Sequence, residues 1–195
     1  MATVEIKREA LFSVVVDKSE VLRYMRSPRD DRVMGLIEEC IGEVEEILSA
    51  SVCYDEYPVK INGGEVDLGF CKIESLDLAK NLAGCKKAIV FAATVGMGVD
   101  RLIKKYSLLS HSRSLCIGAI GNERIEALCD VFCSELKNKY ENIRPRYSAG
   151  YGDLPLSMQR DIFNALSCTK NIGVSLSERL LMTPQKSVTA IVGIE

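Results

Sequence analysis

The spacing of apolar residues predicts a chain built largely of helices with one buried face. From Asp30 to Leu48, apolar residues recur every three or four positions, and acidic residues occupy most of the positions between them. That pattern is typical of a helix whose acidic face lies in solvent. The same spacing predicts further helices over Lys18–Met25, from Ser75 onward, over Val99–Leu109, over Ser114–Tyr140 and over Pro155–Leu166.

Other segments have the pattern of strands. Ser51–Ile61 alternates between apolar and polar residues, Asn62-Gly63-Gly64 is a hairpin turn signal, and Glu65–Phe70 is the expected return strand. Lys86–Val95 is apolar almost throughout, which indicates a strand buried on both faces. The remaining predicted strands are Phe12–Val16, Glu178–Thr183 and Ser187–Ile194, the last two forming a closing hairpin.

Helices alternate with strands that come in hairpins, so the predicted fold class is α+β. We expect a mixed, largely antiparallel sheet with flanking helices in a single compact domain spanning residues 1–195. In the long helix over Ser114–Tyr140, the carboxylates of Glu123, Glu126 and Asp130 are predicted to lie on the side away from the apolar stripe.

Composition excludes several classes of protein. The formal net charge of −2 argues against a nucleic-acid surface, and no apolar run is long enough for a membrane span. The first residues have no apolar signal core, so we expect a cytoplasmic protein. The eight cysteines include no Cys-x-x-Cys pair, and none has zinc-finger spacing to the single histidine, His111, so we expect reduced and mostly buried thiols.

Common catalytic motifs are also missing. The sequence contains no phosphate-binding P-loop, no nucleophile elbow and no Asp-x-His-x-x-Gly pattern for binding a corrinoid through histidine. Gly96-Met97-Gly98 follows a strand, but Arg101 stands where a dinucleotide fingerprint has its third glycine. We interpret this segment as a tight strand-to-helix turn.

The most distinctive stretch is the loop Ile143–Gly152, which contains two arginines, two tyrosines and two glycines between two predicted helices. Arginine offers a fork of donors for a carboxylate or phosphate, and glycine lets the backbone approach a ligand closely. The loop therefore suits a small anionic or zwitterionic ligand. The alternative is structural: Arg146 caps the carbonyls of the helix ending near Tyr140, while Tyr147 and Tyr151 serve as packing.

From Ile143 onward the sequence resembles the reactivation domain of cobalamin-dependent methionine synthase. That family has Arg-x-x-x-Gly-Tyr-Pro in a loop, and here Arg146, Gly150 and Tyr151 match while Gly152 replaces the proline. Further similarity follows in order in the next helix, in Gly173–Glu178, and in Leu181-Met182-x-Pro184 with Ser187-Val188. The resemblance is strongest over residues 143–194.

The resemblance implies an S-adenosylmethionine site. It implies that Arg146 contacts the ligand carboxylate, that backbone groups of Ser148 and Gly150 reach the adenosine, and that Asp130 offsets the ligand's positive charge. Tyr151 would cover the reacting end of the ligand and face the corrin of a docked partner, the position closest to catalysis.

The resemblance also implies a stand-alone reactivation domain. It would support reductive methylation of cob(II)alamin held by a separate methionine synthase or other corrinoid protein, with a flavodoxin-like electron donor. The chain departs from the family in having no tryptophan and in placing Ile191 and Val192 where longer members have aromatics. These departures favour the alternative of a non-catalytic module that docks on and senses or chaperones a corrinoid protein. A conventional small-molecule methyltransferase would require a Gly-x-Gly and an acidic residue after the first strand, which are not found.

Overall fold

The computed structural model describes residues 2–195, and its centre is a four-stranded antiparallel sheet. The strand order is β1-β2-β6-β9, and every neighbouring pair is antiparallel. A three-stranded sheet (β3-β4-β5) and a two-stranded ribbon (β7-β8) complete the strands. The strands are β1 (Thr3–Ile6), β2 (Ser51–Pro58), β3 (Lys60–Asn62), β4 (Glu65–Asp67), β5 (Lys72–Glu74), β6 (Lys87–Thr94), β7 (Ser175–Leu176), β8 (Met182–Thr183) and β9 (Ser187–Ile194).

Eight α-helices flank the strands in the described part of the chain. They are α1 (Arg8–Phe12), α2 (Lys18–Met25), α3 (Asp31–Ile47), α4 (Leu76–Asn81), α5 (Met97–Leu109), α6 (His111–Lys139), α7 (Gln159–Leu166) and α8 (Cys168–Ile172), with a 3-10 turn at Leu156–Met158 before α7. The predicted α+β class with a largely antiparallel sheet is confirmed.

The central sheet is buried on both faces, which gives the molecule two hydrophobic cores. One core, on the side of α6, also contains residues of α2, α3 and α5. The other, on the side of α7, also contains residues of α4, α8 and β4. Strand β6 is apolar throughout because its alternate side chains, such as Phe91 and Val90, enter opposite cores.

The turn between β6 and α5 is a close packing contact with α3. Gly96 has φ of 86°, a conformation that favours glycine. A Cβ on Gly98 would lie 2.6 Å from the Ile47 carbonyl oxygen, so no side chain fits there. The backbone conformation therefore explains Gly96 and the close packing explains Gly98, in agreement with the interpretation of this segment as a tight turn.

One predicted strand and one predicted strand pairing are wrong, although Ser187–Ile194 is a strand with the predicted bounds. Phe12–Val16 is not a strand, because α1 continues to Phe12 and Leu11 is buried at its end. The closing hairpin is wrong because β8 pairs with β7, whereas β9 pairs along its whole length with β6. Residues 178–181 form a turn in which Leu180 has φ of 63°. Periodicity cannot identify the partner of a strand, and here the partner is distant in sequence.

The described residues settle three further points. None of their helices is both long enough and apolar enough to cross a membrane. They contain no cluster of three or more metal-ligating side chains. The eight cysteines are free; six are buried and two, Cys71 and Cys133, are partly buried.

Candidate functional site

The loop after α6 runs along the outer edge of β9 like a short additional strand. Tyr147 donates its N–H to the Ile191 carbonyl and accepts from the Ile191 N–H, both at 2.8 Å. Near the C-terminal end of β9, the Arg144 N–H donates to the Gly193 carbonyl at 2.9 Å. These backbone bonds fix the two residues between them, Pro145 and Arg146, at the sheet edge.

The chain then reverses in a tight turn between Ser148 and Leu154. The N–H of Tyr151 donates to the Ser148 carbonyl at 3.2 Å, and the N–H of Gly150 donates to the Leu154 carbonyl at 2.9 Å. Gly150 and Gly152 have φ of 93° and 52°, in the left-handed region. As a result, the side chain of Tyr151 is 65% exposed at the tip of the turn.

Asp153 anchors this turn to α4, on a distant part of the chain. Its carboxylate accepts hydrogen bonds from the Ser75 hydroxyl, from the Leu76 N–H at 2.7 Å and from the Asp77 N–H at 3.2 Å. The Asp153 N–H in turn donates to the Asp77 carboxylate at 3.3 Å. These contacts hold the pKa of Asp153 below its usual value, chiefly through the Ser75 hydroxyl. Asp153 therefore helps Ser75, the N-cap residue, to cap the start of α4.

Arg146 pairs with two carboxylates of α6. Its guanidinium donates to Glu126 at 2.6 Å and also to Asp130. Burial opposes the charge of Arg146, but hydrogen bonding and attraction to these acidic groups outweigh it and raise the pKa. Arg146 thus makes its side-chain bonds to carboxylates in the middle of α6, and the structural alternative, in which it caps the end of that helix, is wrong.

Glu126 is a site residue that the sequence interpretation missed. Glu126 and Asp130 are four residues apart and therefore lie on one face of α6. That spacing was a usable signal once Asp130 had been singled out. Glu123 lies along the same groove as Glu126 and Asp130, on the predicted side of α6, but it is only 6% exposed and forms an ion pair with the buried Arg124.

A cavity of about 470 Å³ lies between the loop, α6, the start of α7 and the start of β9. Of the five residues predicted for the site, Arg146, Ser148 and Tyr151 line this cavity, Asp130 reaches it only through Arg146, and Gly150 is absent from the lining. The rest of the lining is formed by Glu126, Tyr147, Ala149, Gln159, Met182, Ser187, Val188 and Thr189.

Two of the residues that line this cavity each have a buried polar atom without a protein partner. These atoms are Oε1 of Gln159, a residue 7% exposed, and Oγ1 of Thr189, a residue 2% exposed. Leaving such a group unpaired costs about 1–3 kcal/mol. Because both atoms have almost no accessible surface, a ligand in the cavity does not reach them without a rearrangement. The only sequence signal was a polar residue at a core position of α7 and of β9.

A larger groove of about 890 Å³ lies on the other side of Glu126 and Asp130, between α6 and the segment from Ala10 to Tyr24. Its lining contains apolar side chains and charged side chains, and all of the charged ones except Arg23 are acidic. No residue of the Ile143–Gly152 loop borders it. The smaller cavity brings Arg146 together with the other lining residues of the loop. We therefore take the smaller cavity as the candidate binding site.

These features define an α+β protein with a candidate small-molecule site at the edge of an antiparallel sheet. Comparison with known proteins makes the class more specific. Residues 132–194, about the last third of the chain, match the family model of the vitamin B12-dependent methionine synthase activation domain. The resemblance inferred from the loop is confirmed over this segment.

The whole chain is also similar in structure to a crystal structure of the MetH reactivation domain bound to AdoHcy. The TM-score is 0.73 at 13% sequence identity, covering 100% of this chain and 78% of that chain. At this identity the similarity establishes the fold of a methionine synthase reactivation domain. A comparison with curated proteins gave no match.

Proposed function

We propose that this chain binds S-adenosylmethionine in the loop cavity and supports reductive methylation of cobalamin held by a separate methionine synthase or other corrinoid protein. One observation carries the proposal. The cavity is walled by the Arg146–Tyr151 loop, within the segment that matches the activation-domain family, and an ion pair with Glu126 holds the Arg146 guanidinium at this wall.

The charges around the cavity suit this ligand. One guanidinium, from Arg146, and two carboxylates, from Glu126 and Asp130, leave one net negative charge. S-adenosylmethionine has an ammonium, a sulfonium and a carboxylate, and therefore one net positive charge. Arg146 uses two of its five N–H donors on these acidic groups and also hydrogen-bonds the Cys133 thiol, and the proposal assigns a remaining donor to the ligand carboxylate.

Tyr151 stands at the mouth of the cavity with most of its side chain in solvent. That position lets its ring cover the reacting end of a bound ligand and contact a docked partner. Methyl transfer from a sulfonium to the partner's reduced cobalamin, with the electron from a flavodoxin-like donor, leaves S-adenosylhomocysteine on this chain. The chain's own contribution is positioning, because the activated methyl needs little acid–base help.

Calorimetry tests the binding step. We expect the wild type to bind S-adenosylmethionine and Arg146→Ala to bind it about 10- to 100-fold more weakly, as for loss of a charge-assisted contact. The matched control is Arg144→Ala, since Arg144 contacts the Ala83 carbonyl and Glu195 rather than the cavity. Equal affinity of wild type and Arg146→Ala would refute the site assignment.

A second assay tests the partner step. The chain is mixed with a cob(II)alamin-loaded methionine synthase and a reductant, and methylcobalamin formation is followed by absorbance. We expect formation that depends on both the chain and S-adenosylmethionine. No change beyond a control without the chain would count against a role in reactivation.

One observation favours a second function, a non-catalytic module that docks on a corrinoid protein. Ile191 and Val192 are fully buried in opposite cores, so the end of β9 offers no aromatic side chain to cover a ligand. Under this alternative, the wild type fails to bind S-adenosylmethionine at millimolar concentration but still forms a complex with the corrinoid protein in gel filtration.

A further inference from the structure

The groove between α6 and the segment from Ala10 to Tyr24, which we call the α6 groove, has the shape of a site for a helix. Its volume is about 890 Å³, and one wall is a single face of α6 from Glu123 to Asn138. The lining residues of that wall recur with the i, i+3, i+4, i+7 spacing of one helix face. At 1.5 Å per residue the wall is about 22 Å long, or four helical turns. Amphipathic helices bind in grooves of this kind.

The groove presents apolar side chains in a fixed position. Its apolar lining consists of Ala10, Val14, Val15, Tyr24, Ala127 and Val131. Val15 is 85% exposed, but its segment is clamped to α6. The Arg124 guanidinium donates to the Val14 carbonyl at 2.8 Å, and the Glu123 carboxylate accepts the Asp17 N–H at 3.1 Å. Because Glu123 and Arg124 form a buried ion pair, the clamp holds Val15 in solvent at the edge of the groove.

The charges of the α6 groove are in acidic excess. Its carboxylates are Asp17, Glu20, Glu123, Glu126, Asp130 and Glu135. The bases that pair with them are Lys7, Arg23, Arg124 and Arg146. Six carboxylates against four bases leave two negative charges, so a complementary occupant combines apolar side chains with cations.

The exposed side of α5 has this combination. Met97, Arg101, Lys104, Lys105 and Leu108 have the i, i+4, i+7, i+8, i+11 spacing of one helix face, which we call the α5 face. Met97 is 40% exposed and Leu108 is 87% exposed, and the three bases between them are exposed as well. None of these bases forms an ion pair with another described residue. The α5 face is thus a cationic strip with apolar ends, about 16 Å long.

The α5 face points away from the groove of its own chain. On the opposite side of the helix, Leu102, Ile103 and Tyr106 pack against the core that α5 shares with α6. The Ser114 hydroxyl of α6 also donates to the Ile103 carbonyl at 3.1 Å. Only the α5 face of another molecule can therefore enter the groove.

We propose that the α6 groove of one copy binds the α5 face of a second copy, so that this protein associates with itself. The cations of α5 then lie over the acidic excess of the groove, and Met97 and Leu108 meet its apolar lining. The two surfaces are different, so the contact is heterologous. It does not depend on ligand binding in the loop cavity.

Sedimentation velocity over a range of protein concentrations measures the association. We expect the average mass to rise with concentration above the 21.5 kDa of one chain. Because charges contribute to the contact, we expect weaker association in about 0.5 M NaCl, where they are screened.

Two variants each disable one surface. Val15→Asp places a carboxylate in the groove, and Lys104→Glu/Lys105→Glu reverses the charge of the α5 face. All three positions are exposed, so the fold should be unaffected, as circular dichroism can verify. We expect each variant to associate about 10-fold or more weakly than the wild type. The control is Lys60→Glu/Lys170→Glu, which makes the same charge change at exposed positions of β3 and α8 and should associate normally.

Mixing the two variants is the most specific test. Each keeps the surface that the other has lost, so the intact groove of the α5 variant can bind the intact α5 face of Val15→Asp. We expect a one-to-one dimer in the mixture. Its growth should stop there, because the remaining groove and the remaining α5 face are both disabled.

The outcomes decide between occupants of the groove. Restored pairing in the mixture supports the proposal. A wild type that stays monomeric at every concentration overturns it, including the case in which the groove binds a helix of a different protein. Self-association that persists undiminished in either variant, or a mixture that stays monomeric, overturns it as well, because other surfaces would then make the contact.

Discussion

Substituting Gly152 with alanine tests how tightly the ligand loop is built. Gly152 has φ of 52°, and a Cβ there would overlap the Asp77 carboxylate and lie 2.5 Å from the Tyr147 hydroxyl oxygen. Both neighbours are engaged in holding the turn. The Asp77 carboxylate accepts from the Asp153 N–H at 3.3 Å, and the Tyr147 hydroxyl donates to the Tyr151 carbonyl at 3.2 Å.

The expected loss of stability in Gly152→Ala is about 2–4 kcal/mol. A left-handed backbone costs a residue with a Cβ about 1–2 kcal/mol. Displacing the two side chains weakens hydrogen bonds that contribute about 0.5–1.5 kcal/mol each. The lower entropy of the unfolded alanine chain offsets only ~0.4–1 kcal/mol of this.

Urea unfolding followed by circular dichroism measures the difference. Gly42→Ala is the control: Gly42 lies within α3 with no atom within 4 Å of an added Cβ, so the variant should be more stable by about 0.5–1 kcal/mol. If Gly152→Ala unfolds at the same urea concentration as the wild type, the turn is not held in the way described.

The same dihedral accounts for the departure from the family's Arg-x-x-x-Gly-Tyr-Pro pattern. Proline requires φ near −65°, whereas Gly152 has φ of 52°. Restoring the proline by Gly152→Pro should therefore destabilise the protein more than alanine does and weaken ligand binding. Tolerance of proline, seen as an unchanged urea midpoint, would show that the turn readily adopts another conformation.

Two predictions concern titration. The pKa of Asp153 is depressed in the folded state, so its contribution to stability is present above the unfolded value of about 4 and is lost as the pH falls through the lower folded value. The melting temperature of the wild type should thus fall more steeply between pH 5 and pH 3 than that of Asp153→Asn, and parallel curves would contradict this. Burial raises the pKa of the Cys129 and Cys71 thiols to about 12, so iodoacetamide at pH 8 should leave both unmodified in the native protein. Mass spectrometry checks this against protein unfolded in guanidinium, and rapid native labelling of Cys129 would refute its burial.

The sequence predicted the parts of the fold that local pattern determines. The amphipathic helices α2, α3 and α6 and the doubly buried strand β6 were predicted within a few residues. The strand pairings were harder to predict from the sequence, because the partners of β9 and β8 depend on contacts between distant segments. The acidic cap of α4 is a similar case, since Asp153 comes from a loop 76 residues or more farther along the chain.

The candidate site was predicted in part for the same reason. Arg146 and Tyr151 stand in a motif that can be read from neighbouring residues, and the resemblance supplied Asp130, which does pair with Arg146. Gln159 and Thr189 have no local signal that distinguishes them from ordinary polar residues of a helix and a strand. Only the assembled cavity shows that they are buried and unpaired.

The way the loop is anchored bears on how a partner can use it. Backbone bonds to β9 hold Tyr147, and hydrogen bonds to α4 hold Asp153. The carboxylates of α6 hold Arg146. Between these fixed points only the Tyr151 side chain projects into solvent. The corrinoid protein that we propose as the partner could therefore close the cavity by moving the Tyr151 side chain alone, without disturbing the arginine that we propose holds the ligand carboxylate.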